Sequence, residues 1–403
     1  MSSNYSTDLV LIGGGIAGLW LLNTLRHQGY QAILLESSQL GGAQTIASQG
    51  IIHGGLKYAL SGKLSGAAQS IASMPYRWRQ SLASKMHPDL SSVKILSESY
   101  YMWSGSGVRS RLKSFLGSKS LSGRVEIVAQ PDYPDLFKDA GKTGTLYRLP
   151  DFVLETRSLL GALTYAVNDR IFKIDANQLE FRLNKRGEID SVGLAHGGQR
   201  MEIEARRFVF CAGGGNEKLI KLAALKGVMT QVRPLHMVYL ARKNLPEAFV
   251  HCIGDSFSLT PRLTISSHRT EAEQVVWYLG GELAESGIDR NEETQIDTAR
   301  RLLAGYFPAL DLSGADWHSF LINRAEPRVG KQHRPDDAVV VAKNNVLVGW
   351  PTKLTLAPVM ADKVLFELQE TGVQASAQDD HTRLLKLLPQ PDLASNFWEK
   401  IPC

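Results

Sequence analysis

The feature that most constrains this chain lies near its N-terminus, where an apolar run breaks into glycines. Asp8-Leu9-Val10-Leu11-Ile12 leads into Gly13-Gly14-Gly15-Ile16-Ala17-Gly18. A helical stretch, Leu19 to Gln28, follows, and then a second apolar run, Gln31 to Leu35, that closes at Glu36. A continuous apolar run reads as a strand buried on both faces of a parallel sheet. The glycine spacing is that of a strand–turn–helix unit that receives a dinucleotide. Gly13 permits the tight turn, Gly15 lets the backbone approach a pyrophosphate, and Gly18 lets the helix pack closely on the strand. Ile16 and Ala17, in the same turn, join the expected cofactor contacts, and the N-terminus of the following helix faces the diphosphate charge. Glu36, 23 residues beyond Gly13, is placed to accept the ribose hydroxyls of an adenosine.

The segment after Glu36 separates the two common dinucleotides. An NAD domain would continue with further strand–helix–strand units. Here residues 37–60 read SSQLGGAQTIASQGIIHGGLKYAL, a loop rich in Gly, Ser and Gln that is suited to wrapping a longer cofactor. FAD, held non-covalently, is the expected ligand, with Ser37, Gly42, Ser48, Gln49, Gly50 and Ile52 among its contacts. Two later strands end in the same way. Phe208-Val209-Phe210 runs into Cys211-Ala212-Gly213, and Val346-Leu347-Val348-Gly349 runs into Trp350-Pro351-Thr352-Lys353-Leu354-Thr355. Strand carboxyl ends are where an open parallel sheet meets its ligand. They add Ala212, Gly213, Gly349, Thr352, Lys353, Leu354 and Thr355 to the expected cofactor set.

A chain of 403 residues exceeds one simple core, so two intimately packed domains are expected. The FAD-binding domain is assigned to residues 1–75, 145–228 and 322–375. A substrate-binding cap takes 76–144 and 229–321, and residues 376–403 form a tail docked on the body. Short alternating runs between His236 and Ser266 predict an antiparallel sheet in the cap, followed by helices over 271–286 and 292–307. The fold class is therefore α/β plus an antiparallel sheet, of glutathione-reductase-like flavoprotein architecture.

Charge and cysteine usage narrow the setting. The net charge of +5 suits an anionic ligand, and no basic tract alternates with aromatics, which argues against nucleic acid. Cys211, Cys252 and Cys403 form no CxxC or metal spacing, and no histidine pair has ligand spacing. The polar start Met1 to Thr7 resembles no targeting signal, and no apolar run is long enough to span a membrane. A cytoplasmic protein is expected, with contact at the inner face of the membrane left open.

Taken together, IGGGIAG at 12–18, Glu36, ASQGIIHGGLKY at 47–58, DFVLETRSLLGAL at 151–163, VFCAGG at 209–214, VRPLH at 232–236, AEPRVG at 325–330 and VGWPTKLT at 348–355 resemble the FAD-dependent D-amino-acid-oxidase-like superfamily. Within it, His53-Gly54-Gly55-Leu56-Lys57-Tyr58 is similar to the His-Gly-Gly-Leu-Arg-Tyr of the glycerol-3-phosphate dehydrogenase/oxidase type, with Lys57 in place of arginine. The resemblance implies that this segment lies along the flavin and that Lys353-Leu354-Thr355 meets its pyrimidine edge. It also implies substrate-anion roles for Lys57 and Arg328, with Arg324 as a further anion ligand.

The implied activity is oxidation of a small anionic alcohol or 2-hydroxy acid, glycerol-3-phosphate-like or hydroxy-acid-like. Hydride passes to flavin N5, and oxygen or a quinone-like acceptor takes the electrons. His53 is the candidate base, since imidazole works near neutral pH, though it can equally be a flavin or loop ligand. Lys353 is the candidate for stabilising negative charge on the reduced ring. The alternatives are an amino acid or amine oxidase, a flavin monooxygenase, and a redox-accessory flavoprotein.

Overall fold

The computed structural model describes residues 3–55, 70–104, 125–138, 140, 144–254, 261–328, 335–376 and 381–400. The N-terminal run forms the strand Ser3–Ile12 at the centre of an eight-stranded sheet. Gln199–Phe210 lies parallel to it on one side, and Ala32–Glu36 then Ile171–Lys173 lie parallel on the other. The strand Val346–Trp350 runs parallel to the end of Gln199–Phe210, with Phe208 opposite Val346. Two antiparallel strands, Glu180–Leu183 and Ile189–His196, extend the sheet at one edge.

The continuous apolar run has a direct physical reason. Leu9 and Leu11 enter one core, with the helices Ile16–His27 and Ala357–Glu370. Val10 and Ile12 enter a second, with Phe172, Phe208, Phe210 and Leu384. Both faces of Leu9–Ile12 are covered, so these four positions are apolar. The carboxyl ends Ile12, Glu36, Phe210 and Trp350 all open toward one edge.

A second eight-stranded sheet stands over that edge, in the order Asp316–Pro327, Thr230–Ala241, Val275–Gly280, Pro261–Arg269, Val250–Ile253, Tyr100–Ser104, Thr145–Leu149, Glu126–Ile127. Its pairings are antiparallel except Val250–Ile253 with Tyr100–Ser104. A small three-stranded sheet joins Ile51–Ile52, Phe152–Leu154 and Ile95–Ser97.

The helix expected over 271–286 is corrected by this sheet. Val275–Gly280 is a central strand, with Tyr278 between Tyr239 and Ser266, and only Glu282–Glu285 is helical. Val275-Val276-Trp277-Tyr278 is a β-branched and aromatic run that suits a pleated, two-sided burial. Gly281, at φ +83°, turns the chain out of the strand. The strand Asp316–Pro327 carries no clear alternation and is not predicted by the sequence pattern.

Two segments also lie elsewhere than the expected domain limits. Thr145–Leu149 belongs to the antiparallel sheet. The helix Met74–Leu82 instead packs beneath the nucleotide-binding sheet through Trp78, whose ring lies 4.6 Å from that of Trp20. No helix among the described residues is long and apolar enough to cross a membrane.

Candidate cofactor and active site

The carboxyl ends of the parallel strands and the overlying antiparallel sheet enclose a cleft of about 570 Å³. That falls within the span of small-molecule sites, roughly 300–1,000 Å³. Its lining includes Glu36, Ala176 and Leu179, the glycine turn, much of loop 37–49, and Gly349–Leu354.

The glycine turn is built for close approach. Gly13 has φ +116°, and a Cβ there would lie 2.5 Å from Cα of Ala212. A Cβ on Gly18 would lie 2.0 Å from the Gly13 carbonyl oxygen, so the helix sits directly on the turn. Gly15 is the N-cap of the helix Ile16–His27, with no side-chain cap. The Thr45 hydroxyl accepts from the Ile16 N–H at 3.0 Å, fastening loop 37–49 to the helix start. The remaining first-turn amides are the kind of donors that receive a phosphate. Glu36 lines the cleft, and its carboxylate accepts from the N–H groups of Gly14 (2.6 Å) and Ser38 (2.7 Å).

Further along the cleft, loop 37–49 is docked on the antiparallel sheet. The Gln49 amide donates to the Tyr278 carbonyl at 2.9 Å, and the Tyr278 hydroxyl donates to the Ala47 carbonyl at 2.8 Å. Gln44 accepts from the Ala325 N–H at 3.1 Å. The Ser48 hydroxyl and the Trp350 indole N–H are buried on the cleft wall without a hydrogen-bond partner among the described residues. Buried polar groups are nearly always paired, so such orphans point to a polar ligand. Cys211 also lines the cleft, but burial pushes its thiol up to about 12, which keeps it protonated.

The loop bearing His53 is tied to the last strand end. The Thr355 hydroxyl donates to the His53 carbonyl at 3.3 Å, and the Gly54 N–H donates to Asp151 Oδ1 at 2.8 Å. Burial pushes the Asp151 carboxyl up to about 7, against the opposing pull of that hydrogen bond. Lys353 lines the cleft and its ammonium donates to the Asp336 carbonyl at 2.9 Å.

Most of the cofactor residues expected from sequence come together on this wall. Gly13, Gly15, Ile16, Ala17, Glu36, Ser37, Gly42, Ser48, Gln49, Ala212, Gly213, Gly349, Thr352, Lys353 and Leu354 all line it. Gly18, Gly50, Ile52 and Thr355 do not, and each has a structural task. Gly50 has φ +69°, and a Cβ there would lie 2.1 Å from the Leu154 carbonyl oxygen. Ile52 is fully buried opposite Phe152, and Thr355 is fully buried, bonded to His53 and to the Trp78 indole.

Of the anion ligands, Arg324 lines the cleft, with its guanidinium in ion pairs to Glu326 (3.1 Å) and Glu285 (3.6 Å). Arg328 is exposed at the end of its strand and is not among the lining residues. Nor is His53, whose backbone carbonyl accepts from the Thr355 hydroxyl. Lys57 lies outside the described residues. Sequence reasoning passes over Thr45, Gln44, Lys218 and Trp350 on the wall. The first two stand in the Gly/Ser/Gln-rich loop, but only their distant partners single them out.

Residues 8–363 match the family model described as FAD dependent oxidoreductase. This chain belongs to that family. The flavoenzyme is 43% identical over 400 residues, 99% of both chains, to the probable FAD-dependent oxidoreductase PA4991 of Pseudomonas aeruginosa. The crystal structure of that protein superposes with a TM-score of 0.84 over 99% of each chain. Two more distant structures share the fold. L-alpha-glycerophosphate oxidase from Mycoplasma pneumoniae, with FAD bound, has a TM-score of 0.66 at 11% identity, covering 97% of this chain and 99% of its own. Glycine oxidase from Geobacillus kaustophilus has a TM-score of 0.63 at 15% identity, covering 93% and 97%.

The cofactor is therefore FAD, and the cleft suits it. The glycine turn leaves room for a pyrophosphate close to the backbone, and the strand-end carboxylate of Glu36 lines the same cleft.

Proposed function

We propose that this flavoenzyme oxidises a small anionic alcohol or 2-hydroxy acid, with the electrons passing on to oxygen or a quinone-like acceptor. The observation that supports this reading is the tie between the His53 loop and the Lys353–Thr355 turn, which sets an imidazole-bearing loop beside the turn that carries an ammonium. Bound FAD supplies the hydride acceptor.

The chain's residues then divide the remaining work. An imidazole nitrogen of His53 takes the substrate hydroxyl proton as the carbon-bound hydrogen leaves with its electron pair, giving the carbonyl product. The cations Lys353, Lys218 and Arg324 on the wall favour an anionic substrate and negative charge developing on the ring. The Asp151–Gly54 bond and the Thr355–His53 bond hold the backbone of the loop that carries His53, which limits how far the base must move to meet substrate. The antiparallel sheet covers the cleft and limits water.

The His53→Asn variant tests the assignment. FAD should stay bound and dithionite should still reduce it. Anaerobic reduction by the alcohol or hydroxy acid should slow by about 100-fold or more, the usual share of a positioned base. An unchanged reduction rate would remove His53 from the proton transfer.

A further inference from the structure

We propose that the C-terminal tail, residues 389–400, is part of the cofactor site: a strap that ties loop 37–49 shut and so retains bound FAD. The inference rests on the assignment of FAD to the cleft and is independent of the substrate class.

The strap is bonded at each step of its path. It leaves the edge of the nucleotide-binding sheet, where the Lys173 N–H donates to the Pro389 carbonyl at 2.7 Å. Asn168 and Gln390 bond each other twice beside it, at 3.0 and 2.6 Å. The tail then grips Leu40 on both sides. The Leu40 N–H donates to the Asp392 carbonyl at 2.8 Å, and the Leu40 carbonyl accepts from the Ala394 N–H at 3.0 Å. Leu40 stands between Gln39 and Gly41, both on the cleft wall. Its side chain lies over the glycine turn, where a Cβ on Gly14 would be 2.5 Å from Leu40 Cδ2.

Phe397 and Trp398 of the tail pack on the antiparallel sheet. Phe397 stacks on Phe320 with ring centroids 4.0 Å apart. Trp398, only 2% exposed, sits 4.6 Å from the His268 ring and 5.6 Å from Tyr278. The Tyr239 hydroxyl donates to the Phe397 carbonyl at 3.4 Å. These rings share one hydrophobic cluster with Leu235, Met237 and Ile322, which line the cleft.

The consequence is kinetic. The glycine turn and loop 37–49 line the same cleft, so FAD held there would be released more readily when that loop lifts. Lifting it breaks both backbone bonds at Leu40, and peeling the tail away exposes the Trp398 and Phe397 rings. Linkage makes the effect reciprocal: the factor by which the docked tail tightens FAD is the factor by which FAD tightens the docked tail.

The test uses full-length holoenzyme carrying Trp398→Ala or Trp398→Phe. FAD release after dilution is followed by the rise in free-flavin fluorescence. Trp398→Ala should release FAD at least about tenfold faster, since affinity lost between related complexes appears mostly in the dissociation rate, and Trp398→Phe should stay near wild type. Hydrogen exchange in the wild-type protein supplies a second readout if the alanine variant does not fold. The Leu40 and Ala394 amides should exchange more slowly with FAD bound than without it. An unchanged release rate in folded Trp398→Ala, or exchange at those amides that ignores FAD, would overturn the strap. A failure of the proposed substrate class would leave these results untouched.

Discussion

Gly13 carries two demands at once, a φ of +116° and a close approach to the backbone of Ala212. Alanine at this position meets both a strained backbone and a backbone clash. Gly13→Ala should therefore purify with FAD content reduced by about tenfold or more, read from the ratio of flavin to protein absorbance. Asp151 gives a pH prediction. Its folded-state carboxyl titrates near 7, above the ordinary carboxylate value, so the native protein binds the extra proton. Stability then falls as pH rises from about 4 to about 7 and levels beyond. Asp151→Asn keeps an acceptor for the Gly54 N–H and removes the buried charge. Its gain in melting temperature over wild type should be larger near about pH 8 than near about pH 4.5. Residues such as Gly13, Glu36 and Ser48 can be read from the sequence as cleft residues because a local pattern places them there. Asp151 and Thr45 are not, because their roles come from partners far along the chain, Gly54 and Ile16.

Elements are legible wherever burial has a period of its own. The strand Ser3–Ile12 and the helix Ile16–His27 contain the apolar run Asp8–Ile12 and most of the stretch Leu19–Gln28, but each begins earlier than its pattern does. The helix Glu292–Tyr306 follows its pattern too, and Asn291 caps it by accepting from the Thr294 N–H at 2.9 Å. Asn291→Ala should lower stability by about 1 kcal/mol in denaturant unfolding while leaving FAD content unchanged. Val275–Gly280 reads wrongly as helix because a central strand buried on both faces loses the alternation that marks a strand. Asp316–Pro327 escapes the sequence for a related reason. Its residues acquire faces only through the twelve-residue register with Thr230–Ala241, which is a tertiary fact.

At the scale of the whole molecule, the cleft exists because two sheets meet. One offers strand ends and glycine turns, and the other lays Leu235, Met237, Ile322 and Arg324 over them. The first half of that arrangement is written in contiguous motifs, so FAD can be read from the sequence. The second half is assembled from cap strands and the tail, so the substrate side cannot. Arg328 illustrates the point: its motif suggests an anion ligand, while the fold leaves it exposed away from the lining residues. The most direct test of the proposed chemistry is anaerobic flavin absorbance of the holoenzyme during addition of hydroxy acids, glycerol 3-phosphate, amino acids and amines. Bleaching by a hydroxy acid or a phosphorylated alcohol, lost in His53→Asn, is the predicted result. Bleaching by amines alone, with His53→Asn as fast as wild type, would contradict it and make the protein an amine oxidase.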